Sequence, residues 1–274
     1  MTNPRLIASD LDGTFLTVNK SYNHQRFQRI LNKMREVDAH FIIATGRDMI
    51  NVNKLFKDFI GQVDLVVDNG ALVQNAAGDT LKEAFLSKSE LKHAMDVVEQ
   101  MPFRPKIGAA FASRHKLYML QDQARINWPH TLQLRLAGFE LEIIKSIDEL
   151  PDEILKFTIA FRPEDTKQFI EQTRSVIKNQ GHVTTSGYGS VDIVGPGVNK
   201  ASGLAVLAKY YGLTLEEDLA AFGDGLNDYE MLSAAGFPRA MPNGDAYLLD
   251  GKFEQALTDN EHEGVFKTIE TLWY

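Results

Sequence analysis

The sequence predicts an α/β protein, a doubly wound parallel sheet assembled from both ends of the chain with an α+β domain inserted between them. Three observations predict it. Short, nearly continuous apolar runs alternate with helix-period segments toward each terminus, the pattern of strands buried on both faces of a parallel sheet. That rhythm breaks over roughly residues 84–190 and then resumes. The 274 residues are enough for one large domain or two ordinary ones.

The elements follow in order. "RLIASD" reads as the first strand, and "HQRFQRILNKMREVD" places Phe27, Ile30, Leu31 and Met34 at i, i+3, i+4 and i+7, an amphipathic helix. "HFIIAT" is the second strand. "RDMINVNKLFKDFIG" follows as a helix with Val52, Leu55, Phe56 and Phe59 on one face and Gly61 to end it. "DLVVDNG" is the third strand, and "ALVQNAAGDTLKEAF" a hairpin around Gly78-Asp79. In the insert, "KIGAAFA", "KLYML", "FELEIIK", "LKFTIAF" and "HVTTS" are candidate strands. "EDTKQFIEQTRSVIKNQG" is its clearest helix, stacking Phe169, Ile170, Thr173, Val176 and Ile177. "SGYGS" (186–190) has the composition of a hinge. "VDIVGPGVNK" resumes the α/β rhythm, followed by "ASGLAVLAKYYG" with Leu204, Leu207, Ala208 and Tyr211 in a stripe, and by "LAAFGDGLNDYEMLSAAG". The expected boundaries are a core of 1–83 and 191–274 around an insert of 84–190.

Composition narrows the function. An apolar fraction of 44% and a charged fraction of 24% fit a globular protein with a real core. The absence of cysteine excludes disulfides, a thiol nucleophile and cysteine-ligated metal. A net charge of -8 argues against nucleic acid or an anionic membrane as the main partner. No apolar run approaches the ~20 residues of a membrane span, and no basic-then-apolar signal opens the chain, so a cytoplasmic location is expected. The seven histidines are scattered without HxxxH spacing, against metal ligation by them. Oligomeric state leaves no mark in the sequence.

In open parallel sheets ligands bind beyond the carboxyl ends of the strands. The residues expected on that rim are Asp10 and Asp12, then Thr45, Gly46 and Arg47, then Asn69-Gly70, with Lys200 opening a helix and Asp224, Asn227 and Asp228 in "GDGLND". Four acids on one rim repel one another unless a cation joins them. Hard oxygen donors without a nearby histidine point to Mg²⁺ rather than zinc.

The order of these residues resembles the haloacid dehalogenase-like (HAD) superfamily of phosphatases. Its four motifs are matched by "DLDGT" (10–14), "ATGR" with Thr45, Lys200 in "GVNKASGL", and "GDGLND" (223–228). The insert after the third strand is similar to that of the Cof-type subgroup with its large α/β (type IIB) cap, and the resemblance spans the whole chain. It implies a Rossmann-like core, and the insert's position beside the rim, between two glycine-containing connections, predicts a mobile cap that closes over that rim. It also implies an aspartyl-phosphate formed on Asp10, with Asp12 as general acid and then base. Mg²⁺ would be held by Asp10, the backbone carbonyl of Asp12 and Asp224, with Asp228 acting through water or orienting Lys200. The backbone at Leu11 with Thr45, Gly46, Lys200 and Asn227 would hold the phosphoryl oxygens.

The chemistry asks for such residues independently. A carboxylate attacks a phosphate dianion poorly unless positive charge neutralises the approach, and each preorganised donor contributes about 3 kcal/mol by analogy with oxyanion holes. The implied activity is hydrolysis of small phosphorylated metabolites, sugar phosphates or phosphorylated cofactors. The alternatives are a phosphomutase, since phosphomannomutases resemble this motif set, and a non-catalytic phosphometabolite-binding protein. A dehydrogenase is disfavoured because "DLDGT" stands where a glycine fingerprint would. A phospho-receiver module is typically about half this length.

Some residues keep two readings. Asp228 serves the site or only the first turn of a helix. Arg47 binds substrate or pairs with an acid, and Asn69 acts in the site or only in its turn. Trp128 and His130 line a pocket or anchor the insert. Ala201 stands where the family often has Gly, and Pro238 and Pro242 interrupt the stretch after the last motif.

Overall fold

β1 (Leu6–Ser9) is buried along its whole length, as a strand covered on both faces must be. α1 (His24–Glu36) starts where Asn23 accepts from the Arg26 N–H, and it buries Phe27, Ile30, Leu31 and Met34 as their spacing predicts. β2 (His40–Ala44), α2 (Met49–Leu55) and β3 (Asp64–Val67) continue the alternation. α2 stops short of Phe56, which caps it and is itself buried. The predicted hairpin forms as β4 (Leu72–Gln74) and β5 (Thr80–Glu83), with Gly78 left-handed in its turn. The computed structural model describes residues 3–102, 105, 107–121, 140–177, 181–185 and 190–272. Trp128, His130 and residues 186–189 of the glycine-rich stretch lie outside them.

The inserted region opens with α3 (Lys88–Glu99), which the sequence reading did not assign. Its signal was a capping box: the Ser87 side chain accepts from the Glu90 N–H while the Glu90 carboxylate accepts from the Ser87 N–H. Then come β6 (Ile107–Ala112), β7 (Lys116–Leu120), β8 (Glu140–Ile144), β9 (Lys156–Ala160), α4 (Pro163–Ile177), β10 (His182–Thr185) and β11 (Ser190–Val194). The chain continues through α5 (Lys200–Tyr211), the single turn α6 (Leu215–Asp218), β12 (Leu219–Gly223), α7 (Tyr229–Ala234), β13 (Phe237–Ala240), β14 (Glu254–Gln255) and α8 (Gly264–Leu272).

Two compact units result. The first holds Met1–Thr45, Asp58–Lys82 and Asn199–Tyr274, the second Gly46–Lys57 and Glu83–Val198. In the first, the strands run β14-β13-β12-β1-β2-β3-β4-β5. From β14 to β3 the pairs are parallel, and β3–β4 is antiparallel. β1 lies between β2 and β12, with Leu6 level with both His40 and Leu219. The order therefore reverses beside β1, the switch point at which such sheets bind ligands. The loop after β1 is anchored by Phe15, whose ring meets Phe27, Phe41 and Phe266 at centroid separations of 5.0–5.5 Å.

The second unit carries a sheet ordered β10-β11-β9-β6-β7-β8, antiparallel except for β7–β8. One face packs Phe111, Phe157, Phe161 and Phe169 with its helices. This corrects the expected boundary at 191. β11 pairs with β9 and β10, so the first unit resumes at Asn199. An apolar run as short as "VDIV" fits either sheet, and only non-local pairing decides. Residues 46–57, expected in the core, also group with the second unit, where Lys156 Nζ donates to the Gly46 carbonyl at 2.6 Å.

Candidate active site

Asp10 follows the last residue of β1, and its N–H donates to the Phe222 carbonyl of β12 at 3.0 Å. That bond continues the β1–β12 pairing and brings the acids after the two strands together. Gly13 takes a left-handed φ of 82°, and a Cβ there would collide with the Asp224 carboxylate. Only glycine allows this turn to pass so close. Thr14 Oγ1 then donates to Asp224 Oδ1 at 2.7 Å.

Lys200 is the first residue of α5, whose start is fixed by a reciprocal Asn199–Ser202 capping box. Its side chain has no exposed surface, and Nζ donates to Asp10 Oδ1 at 2.5 Å and to Asp228 Oδ1 at 2.6 Å. The other oxygen of Asp228 accepts from the Asp224 and Gly225 N–H groups at 2.9 and 3.0 Å. Asp228 therefore closes its own turn with one oxygen and accepts from Lys200 with the other.

One oxygen each from Asp10, Asp224 and Asp228 lie within 4.8 Å of one another. Three carboxylates face one ammonium. Burial first, then repulsion from Asp228, raises the Asp10 carboxyl to about 7, against the pull of Lys200. Burial and repulsion from Asp10 and Asp228 raise Asp224 to about 8. Burial alone would lower Lys200, but attraction to Asp10 and Asp228 prevails and holds it above the ordinary lysine range. The cluster is short of positive charge by about two units when ionised. All-oxygen donors at this separation and that deficit suit a hard divalent cation such as Mg²⁺.

The remaining expected residues are placed as follows. Asp12 lies outside the carboxylate cluster, and its Oδ1 accepts from Lys20 Nζ at 2.5 Å. Nothing in the sequence pattern marked Lys20, which reaches Asp12 from a left-handed turn position. Leu11 is buried, its carbonyl accepting from the Phe15 and Leu16 N–H groups. Thr45 is buried at the end of β2, its N–H bonded to the Val66 carbonyl. Gly46 and the half-buried Arg47 fall in the second unit. Asn227 Nδ2 donates to Asn69 Oδ1 at 3.2 Å.

The family model for haloacid dehalogenase-like hydrolases matches residues 7–269. The chain is 31% identical to the Escherichia coli 5-amino-6-(5-phospho-D-ribitylamino)uracil phosphatase YbjI, covering 97% of this chain and 95% of that protein. Among solved structures, the Streptococcus mutans UA159 protein SMU.1108c superposes with a TM-score of 0.87 at 29% identity, covering 98% of this chain and 99% of that one. A HAD subclass IIB sugar phosphatase shares the fold with a TM-score of 0.78 at 18% identity, covering 98% and 99%. The acids after β1 and β12, the lysine at the start of α5, the inserted α+β unit and these likenesses converge: the chain belongs to the haloacid dehalogenase-like hydrolases.

Proposed function

We propose that this enzyme is a Mg²⁺-dependent phosphatase of small phosphorylated metabolites, working through an aspartyl-phosphate on Asp10. The observation that carries the reading is the buried Asp10–Lys200–Asp228 network with Asp224 beside it. In this reading Asp10 Oδ attacks phosphorus in line, and Asp12 gives its proton to the departing oxygen. Asp12 then takes a proton from water, which attacks the phosphorus of the aspartyl-phosphate and frees Asp10. Burial works against the ionised Asp10 that the attack needs, and the Lys200 ammonium at 2.5 Å works for it. Lys200, Thr45, Asn227 and the backbone at Leu11 hold the phosphoryl oxygens. Asp10, Asp224, Asp228 and the backbone carbonyl of Asp12 would hold Mg²⁺, Asp228 through water. When bound, Mg²⁺ supplies positive charge that offsets the carboxylates and the phosphoryl group.

The E. coli relative is named for a phosphorylated ribityl-pyrimidine, which supports a phosphorylated sugar-like or cofactor-precursor substrate. Such charged molecules do not cross membranes unaided, consistent with a cytoplasmic enzyme. Among the described residues no helix is long and apolar enough to cross a membrane. The test is a panel of phosphorylated metabolites with Mg²⁺ present or chelated. Phosphate release that needs Mg²⁺, needs no bisphosphate activator and is abolished by Asp10→Asn is the expected result. Release only as transfer between sugar positions would make the enzyme a mutase, and activity surviving Asp10→Asn would remove the nucleophile.

A further inference from the structure

We propose that Asn69 is a positioning residue of the phosphate site, bracing Asn227 through its side chain and Thr45 through its backbone. This rests on the phosphatase reading, in which Thr45 and Asn227 hold phosphoryl oxygens. The turn after β3, Asp68–Gly70, has three consecutive left-handed residues, with φ of 49°, 55° and 96°. Non-glycine residues enter that region at a cost and stay there only when their surroundings demand it. Glycine would meet the backbone requirement at position 69 more cheaply than any side chain.

Asn69 is nonetheless buried, with 1% of its surface exposed, and both its backbone and its side chain are engaged. Its N–H donates to the Thr45 carbonyl at 3.0 Å. Its Oδ1 accepts from Asn227 Nδ2 at 3.2 Å. The neighbouring Gly70 packs so closely on the Asn199 carbonyl that no Cβ fits there, and Asn199 caps the helix that begins with Lys200. One strained turn thus touches the supports of three residues that the reading assigns to phosphate. The chemistry of the side-chain contact is specific. An amide nitrogen carries two N–H groups. Committing one to Asn69 fixes the amide plane of Asn227 and leaves the other for a phosphoryl oxygen. Released from Asn69, the Asn227 amide can turn its carbonyl oxygen toward the phosphate and repel it.

Asn69→Gly separates this role from a role in the turn alone, because glycine keeps the left-handed backbone and the N–H to Thr45 while removing the amide. Hydrolysis of p-nitrophenyl phosphate and of the best substrate from the panel would be compared for wild type, Asn69→Gly, Asn227→Ala and the double variant, together with Tm and with binding of inorganic phosphate. We expect Asn69→Gly to lower kcat/KM about tenfold or more, the scale of one lost charge-assisted hydrogen bond. It should weaken inorganic phosphate binding and move Tm by only a few degrees. The double variant should lose no more than Asn227→Ala alone. Unchanged kcat/KM in Asn69→Gly, or losses that multiply in the double variant, would overturn the proposal. If wild type hydrolyses no phosphate ester, the phosphatase reading fails instead, and inorganic phosphate binding still judges Asn69: equal affinity in wild type and Asn69→Gly would overturn its role.

Discussion

Two buried charges in the same unit meet opposite treatment. Lys200 has two carboxylate partners and remains charged. Asp64, at the start of β3, has no such support: it accepts from the Tyr211 hydroxyl at 2.7 Å and the Ala76 N–H at 2.8 Å. His40 stands 3.8 Å away and is itself held below its ordinary range by burial. Burial therefore raises Asp64 from 3.8 to about 6, against those two hydrogen bonds. Its folded form binds the proton more tightly than its unfolded form, so its contribution to stability is lost as pH rises from about 4 to about 6 and is not regained above. Asp64→Asn keeps an Oδ1 acceptor for both donors and removes the charge. Urea unfolding is expected to find it more stable than wild type by roughly 1–3 kcal/mol at pH 8, with a clearly smaller gain at pH 5. An equal gain at both values would show that the ionised Asp64 is not penalised.

At the scale of elements, what could be read in advance was whatever depends on neighbours in sequence. The period of α1 placed Phe27, Ile30, Leu31 and Met34 correctly because an amphipathic helix is a local pattern. α3 was equally local, its Ser87–Glu90 capping box visible in the letters, yet it went unassigned beside stronger strand-like runs. β11 was misplaced for a different reason, since its partners β9 and β10 are chosen by tertiary pairing. Of the buried cluster, Asp10, Asp224, Asp228 and Lys200 were legible from their order, whereas the Lys20–Asp12 pair and the Asn69–Asn227 bond were not, being contacts of side chains across loops. The turn after β1 shows how tightly a local element can be bound to a distant one. Gly13→Ala would set a Cβ against the Asp224 carboxylate and force an L side chain into left-handed backbone. A loss of at least about 2 kcal/mol in stability is expected, with kcat down by two orders of magnitude or more if the Asp224 carboxylate is displaced. Wild-type kinetics in Gly13→Ala would mean that the turn has slack the geometry does not suggest.

At the scale of the molecule, the site exists only when the two ends of the chain pair. Asp10 leaves β1 while Asp224 and Asp228 follow β12, and the two strands lie side by side. Folding the first unit therefore brings like charges together, and the raised Asp10 and Asp224 carboxyls register that opposition. A divalent cation bound to the folded state, and not to the separated segments of the unfolded chain, must stabilise the fold by mass action, by about 2.7 kcal/mol at a hundredfold excess over Kd. Wild type is expected to melt at a higher temperature in Mg²⁺ than in chelator, by several degrees. Asp224→Asn separates repulsion from ligation. It retains an Oδ1 to accept from Thr14, yet it removes one of three crowded charges, so in chelator at pH 8 it should melt above wild type. In Mg²⁺ it should gain little, and its phosphatase activity should be lost. An Mg²⁺-induced shift as large in Asp224→Asn as in wild type would place the cation elsewhere, and a lower melting temperature in chelator would mean that the crowded carboxylates do not oppose folding.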